Sequence, residues 1–307
     1  MFSYIPTTCP YCATGCGFNL VVKEGLVVDT APWQRSPVNA GKLCPKGAHA
    51  HEFVNHPDRL TTPLIRKNGV LTPASWDEAY DLIAEKFRSF GPGEMACFAS
   101  SRASNEDTYT FQKFARVTLQ TPHVDNCARL CHSSSVTGLL EVFGSGAMTN
   151  SLDDLEGSSC IFVIGSNTVE AHPLINRRII LAEQHGAHLI VVDPRRTALA
   201  KRAGLHLQIC PGTDVMLLNA MMQYIILHDL QDKEFITGRT SGFADLESLV
   251  MQEEYSMKNA ARVCGVPADS IARAAELAAT SPSCALLFAM GITQHSVGVD
   301  NVRSCAN

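Results

Sequence analysis

Positive charge is scarce in this 307-residue chain: 25 Lys and Arg stand against 30 Asp and Glu, a formal net charge of −5. Contacts to a phosphate backbone need a basic surface. Short pairs such as Arg177-Arg178 and Arg195-Arg196 do not make one, so a nucleic-acid partner is not expected. Long apolar runs are also missing. No stretch approaches the roughly 20 residues of a membrane span, and the opening MFSYIPTTCP has neither the basic-then-apolar pattern of a secretory signal nor a twin arginine. The expected compartment is therefore the cytoplasm. There is no internal repeat and no low-complexity tract.

What the chain does have is cysteine, 12 in all, within a composition of 46% hydrophobic and 18% charged residues that can bury a real core. In a reducing compartment so many thiols are not expected to pair as disulfides. Those that cluster suggest metal ligation or catalysis. Those inside apolar runs read as small core residues.

The first 55 or so residues are rich in Cys, Gly and Pro. Phe18 to Val22 and Leu26 to Asp29 read as a hairpin turning at Glu24-Gly25. So small a β-rich module needs a staple, and its cysteines could supply a metal one. From about residue 60, strands alternate with helices. Ser75 to Phe90 has a capping box, Ser75 with Glu78, and an apolar face of Ala79, Leu82, Ile83 and Phe87. Glu94 to Ser100 reads as a strand and Glu106 to Leu119 as a helix. Four continuous apolar runs, Cys160 to Gly165, His188 to Asp193, Leu205 to Cys210 and Cys284 to Met290, read as buried parallel strands. Helices are expected over Leu174 to His185, Val215 to His228, Phe243 to Val250 and Pro267 to Thr280. Such alternation implies βαβ units.

Two constellations carry chemistry. Cys9, Cys12, Cys16 and Cys44 follow C-x2-C-x3-C-x27-C. Four thiolates suit one zinc ion or one [4Fe–4S] cluster. Three ligands crowding one loop, with a distant fourth, favour the cluster over the paired C-x2-C of zinc sites, and Gly15 and Gly17 would let the loop curl. Lys46, two residues past Cys44, is either a solvated charge or a cation beside a redox centre. The second constellation is Cys131-His132, at a strand-to-helix transition where α/β proteins bind ligands. It reads either as a buried thiol beside a surface imidazole, or as a soft-metal ligand beside a proton acceptor. Cys127 reads as a packing residue.

Several segments together carry a resemblance. Cys-Pro-Tyr-Cys-x3-Cys-Gly, Leu-Cys-Pro-Lys-Gly, Arg-Leu-Thr-Thr-Pro-Leu-Ile-Arg and Ser-Trp-Asp-Glu-Ala resemble the molybdopterin oxidoreductase superfamily. Ser101 to Glu106, Gln112 to Arg116, Asp125 to His132 and Gly144 to Asn150 look like its formate dehydrogenase branch, whose members follow the metal-ligand cysteine or selenocysteine with His where similar nitrate reductases have Met. Arg-Leu-Cys-His-Ser-Ser looks most like methanogen enzymes that pass electrons to a deazaflavin coenzyme through an iron–sulfur and flavin beta subunit.

The resemblance implies an α/β chain in three parts: an iron–sulfur domain over 1–56, a partial α/β domain over 57–125, and a Rossmann-like domain over 126–307 that binds a pterin guanine dinucleotide. It implies that Cys9, Cys12, Cys16 and Cys44 hold [4Fe–4S], that Lys46 bridges cluster and pterin, and that Cys131 ligates molybdenum or tungsten carried by a bis-molybdopterin guanine dinucleotide. His132 would stand beside formate. Arg102, Gly165, Asn167, Asp193, Arg195, Gly212, Thr213, Asp214, Met290 and Gln294 would contact the cofactor, although singly each strand-end residue could be an ordinary turn or cap. The implied reaction is two-electron oxidation of formate to carbon dioxide. Relatives continue past the equivalent of Asn307 into an arginine expected to hold formate's carboxylate and a β-barrel-like domain. The resemblance therefore implies an N-terminal portion that is inactive by itself. Two alternatives differ in class: a nitrate-reductase-like enzyme, and a non-catalytic iron–sulfur electron carrier. His132 argues against the first, and Cys131 with the strand-end loops against the second.

Overall fold

Glu24 and Gly25 both take positive φ, +52° and +81°, the geometry that matches a two-residue turn to strand twist. They join strands Gly17–Lys23 and Leu26–Pro32 as expected, and Phe2–Thr8 adds a third antiparallel strand on the other side of Gly17–Lys23. We call these β1 (Phe2–Thr8), β2 (Gly17–Lys23) and β3 (Leu26–Pro32). The computed structural model describes residues 1–307 and divides into two compact units, Met1–Arg129 and Leu130–Asn307.

In the first unit, β4 (Leu64–Lys67) and β5 (Val70–Pro73) form a second hairpin through Asn68-Gly69, both at positive φ. The helix Trp76–Arg88 begins with both capping-box bonds in place: Glu78 N donates to Ser75 Oγ, and Ser75 N to Glu78 Oε2. Its apolar face is only partly covered, with Ala79 buried but Ile83 and Phe87 exposed. A short parallel pair, β6 (Cys97–Ala99) and β7 (Val124–Asn126), flanks the helix Asn105–Lys113. That helix does not continue as an α-helix to Leu119. It widens into a π-turn over Phe114–Thr118, where Leu119 N reaches back to Phe114 O. The wide turn leaves Ala115 and Leu119 buried beside Cys97.

The second unit is built on a four-stranded parallel sheet of β8 (Cys160–Ile164), β9 (His188–Val192), β10 (Leu205–Leu207) and β11 (Cys284–Phe288), in the order β10-β9-β8-β11. Strand alternation splits its side chains between two cores. Phe162, Ile164, Ile190, Val192 and Leu207 pack with the helices Asp214–Leu227, Met257–Cys264 and Ala268–Thr280, while Ile161, Val163, Leu189 and Val191 pack with Pro173–Gln184 and Ala198–Arg202. All five residues of β8 are buried, each large one contributing about 1.5–3 kcal/mol of burial. The fourth apolar run behaves differently from expectation. β11 is an edge strand, and its Cys284 and Leu286 are exposed along an open cavity that they line with Phe288.

Candidate cofactor sites

Strand order decides where a ligand can enter an open parallel sheet. β8 is followed in space by β9 on one side and by the late strand β11 on the other, so the chain reverses direction between β8 and β11. The loops leaving two such strands diverge and open a crevice at their carboxyl ends. Gly165 ends β8 and Met290–Thr293 forms a helical turn after β11. Gly291 N donates to Gly165 O at 3.0 Å. Gly165 has φ +58°, and a Cβ on it would lie 2.7 Å from the Gly291 carbonyl carbon. Glycine at both positions lets the two loops touch backbone to backbone.

Cys131 lies at this crevice. It is half-buried, the last residue of the helical turn Ala128–Cys131 and directly before the helix Ser133–Phe143. Its carbonyl accepts from Thr293 Oγ1 at 2.6 Å, and its Sγ lies 3.9 Å from Gln294 Nε2. His132, half-buried, holds Ser135 Oγ at 3.0 Å through Nδ1, and burial lowers its pKa below the usual histidine value. The imidazole lines a cavity of about 740 Å³ shared with Leu139, Phe143, Met148, Ile175 and Phe288.

The other residues singled out at the strand ends have distinct settings. Asn167 Oδ1 is buried with no partner, an orphaned acceptor of the kind that a bound group satisfies. Asp193 is buried and accepts from Arg195 N at 2.7 Å, while the Arg195 side chain is exposed. Gly212 has φ +84°. Thr213 Oγ1 donates to Cys210 O at 2.7 Å, and Asp214 opens the helix Asp214–Leu227 with a buried carboxyl. Met290 is exposed. In the first unit Arg102 is exposed in the turn after β6, its N donating to Ser100 Oγ.

The four N-terminal cysteines lie near enough to act on one another electrostatically, with Cys12, Cys9 and Cys44 all acting on Cys16. Cys9 N donates to Cys16 O at 2.9 Å, closing a loop in which Ala13 and Gly15 take positive φ. Gly17 does not serve the curl. A Cβ there would strike the Trp33 ring at 2.6 Å, and its N–H donates to Asn39 Oδ1 at 2.9 Å. Buried Asn39 also donates to Gly17 O and Lys42 O, and so ties the cysteine loop to the segment that carries Cys44. Composition and spacing gave no signal for Asn39. Cys44 precedes the turn Pro45–Ala48, where a Cβ on Gly47 would sit 3.7 Å from Cys9 Sγ. Burial pushes the Cys16 thiol up to about 11, and Cys12, Cys9 and Cys44 add to the rise; burial likewise raises Cys9, which a hydrogen bond from the Tyr11 backbone and, less so, Lys46 partly offset. Mutually repelling thiolates in one pocket suit a polycationic partner. Cys127, expected as packing, is exposed, with its Sγ 2.9 Å from Ser101 Oγ.

The Molybdopterin oxidoreductase family matches residues 59–307, and the Molybdopterin oxidoreductase Fe4S4 domain matches residues 2–56. The chain belongs to the molybdopterin oxidoreductase family. Its cofactors are accordingly a 4Fe–4S cluster and molybdopterin with molybdenum or tungsten, and the thiol set and the orphaned Asn167 acceptor fit them. The chain is 51% identical, over 99% of its length, to the F420-dependent formate dehydrogenase 1 subunit alpha of Methanococcus maripaludis. It is 47% identical, over its full length, to the F420-dependent formate dehydrogenase subunit alpha of Methanocaldococcus jannaschii, and 40% identical, over 98%, to formate dehydrogenase H of Escherichia coli. The chain spans only 45%, 45% and 43% of those relatives. Among solved structures, acetylene hydratase from Pelobacter acetylenicus superposes with a TM-score of 0.82 at 26% identity, covering 98% of this chain and 42% of that one.

Proposed function

We propose that this chain is part of a formate dehydrogenase catalytic subunit, oxidising formate to carbon dioxide, a proton and two electrons. The observation that carries the reading is Cys131-His132 at the switch-point crevice: a half-buried thiol beside an imidazole whose pKa burial lowers. Cys131 would hold the molybdenum or tungsten of a bis-molybdopterin guanine dinucleotide, which when bound supplies the two-electron acceptor. In the tautomer whose Nδ1–H donates to Ser135 Oγ, His132 Nε2 would be the proton acceptor.

Asn167, Asp193, Arg195, Thr213 and Asp214, at the ends of β8, β9 and β10, would bind the guanine dinucleotide. Gly165 and Gly212 would allow its close approach, Met290 would flank it, and Arg102 would contact the cofactor. Cys9, Cys12, Cys16 and Cys44 would hold the cluster, with Lys46 as the cation between cluster and pterin. Electrons would leave through that cluster to an iron–sulfur and flavin beta subunit that reduces a deazaflavin coenzyme in methanogenesis; the M. maripaludis and M. jannaschii relatives are named as F420-dependent alpha subunits. Domains over 1–56, 57–125 and 126–307 follow the same reading. The compartment would be the cytoplasm, where a chain with 12 cysteines is kept reduced.

The test is Cys131→Ala in the full enzyme. Formate oxidation should be lost while the iron–sulfur signal persists; undiminished turnover would refute the assignment.

A further inference from the structure

The residues after β11 grip Cys131 at two atoms. Thr293 is buried, and its Oγ1 donates to the Cys131 carbonyl at 2.6 Å. Its own carbonyl accepts from Ser134 Oγ at 3.1 Å, just past Cys131 on the other side of the dipeptide. Gly298 is packed so closely that a Cβ there would lie 2.3 Å from Thr293 O and 2.6 Å from Ser134 Oγ. Fully buried Asn301 donates to Ile292 O at 2.9 Å, fixing the same turn from the helix Gly298–Ala306. The Cys131 carbonyl and the Ser134 hydroxyl that follows it are therefore both tied to one turn, which Asn301 fixes in place. The second atom is the sulfur, which has Gln294 Nε2 at 3.9 Å, an N–H donor on the residue next to Thr293.

We propose that Thr293 and Gln294 act together as positioning and tuning residues for the Cys131 thiolate. Thr293 sets where the sulfur points. Gln294 donates to the sulfur and withdraws electron density from it. Partners of a metal ligand commonly fix its geometry and donor strength in this way. Hydrogen bonds to a ligating sulfur also move the potential of the centre it serves. A surface glutamine on a free turn would have neither effect, but this turn is clamped at the Thr293 hydroxyl, the Thr293 carbonyl and the Ile292 carbonyl. The inference rests on Cys131 being the metal ligand.

The experiment is a redox titration of the full holoenzyme by electron paramagnetic resonance of the pentavalent molybdenum or tungsten, with metal content measured alongside kinetics. Gln294→Leu should shift the midpoint potential negative and change the g-values at unchanged metal content, with kcat falling about tenfold and KM little changed. Gln294→Asn, which keeps the amide but shortens its reach, should shift in the same direction. Thr293→Val should broaden the signal into more than one species, and Thr293→Ser should restore a single one. An unchanged potential and signal in both Gln294 variants, or a Thr293→Val spectrum like that of Thr293→Ser, would overturn the proposal. Cys131→Ala separates the two layers. If it leaves the pentavalent signal unaltered, the ligand assignment itself fails; if it alters the signal while the Gln294 variants do not, only the tuning role fails.

Discussion

Asp214 is a carboxylate 4% exposed to water. Burial raises its pKa above the ordinary 3.8, and the attraction of His295 only partly offsets that rise. An acid whose folded pKa is raised binds its proton more tightly in the native state. The stability this adds is complete below the unfolded value of 3.8 and is lost as pH rises through the higher folded value. At neutral pH the charged side chain therefore costs stability. Asp214→Asn should raise the melting temperature of the apoprotein at pH 7, and thermal scans from pH 7 to pH 4 should show that advantage shrinking. A constant difference across the range would contradict it. Keeping an unfavourable carboxylate at a strand end is consistent with a ligand that hydrogen-bonds it. At this scale the sequence was readable where residue type dictates chemistry, as in the four thiols and Cys131-His132. It was unreadable where a side chain's role depends on distant backbone. Asn39 and Thr293 are ordinary polar residues until the fold brings Gly17 or Cys131 to them, and Cys127 lies in the same motif yet faces outward.

Among elements, legibility followed the physical signal. The central strands β8 and β9 are continuous apolar runs, and they are buried as such runs must be. Capping chemistry placed the start of Trp76–Arg88, and Glu24-Gly25 placed a turn. Asn68-Gly69, the strongest short hairpin signal in the chain, was equally available and marks the β4–β5 turn. Sheet order left no local trace. Composition does not distinguish β11, an edge strand, from β8 beside it, so the position of the switch point came only from pairing. The contact between Gly165 and Gly291 is the point where that pairing becomes a site. Gly165→Ala would force an L residue to φ +58° and drive its Cβ to 2.7 Å from the Gly291 backbone. The left-handed conformation alone costs about 1–2 kcal/mol, and the loops must also part. We expect lower thermal stability together with loss of pterin content, measured by release and fluorescence of the oxidised pterin. Wild-type pterin content in a folded Gly165→Ala enzyme would show that the loop contact is dispensable.

Across the whole chain, the two cofactor regions differ in how much protein holds them. The pterin crevice stands on a sheet with apolar cores on both faces. The cysteine region has almost nothing comparable. Within residues 1–56 the buried apolar side chains are Cys16, Phe18, Val21 and Ala50, and most of β1 is exposed. Four small contributions cannot offset the entropy of ordering so many residues, so the cluster itself must supply much of the stability of this region, as structural metals do in small modules. Removing it should therefore be a local event. After anaerobic chelation of the iron, hydrogen exchange at the amides of β1, β2 and β3 should accelerate by orders of magnitude, while β8 and β9 keep their protection. Cys12→Ala should produce the same pattern without chelator and abolish the iron–sulfur signal. If β1 to β3 kept full protection without iron, the region would have to be held by its hydrogen bonds alone, with Asn39 as the principal tie. The double variant Cys12→Ala/Asn39→Ala would then decide between cluster and asparagine as the element that folds it.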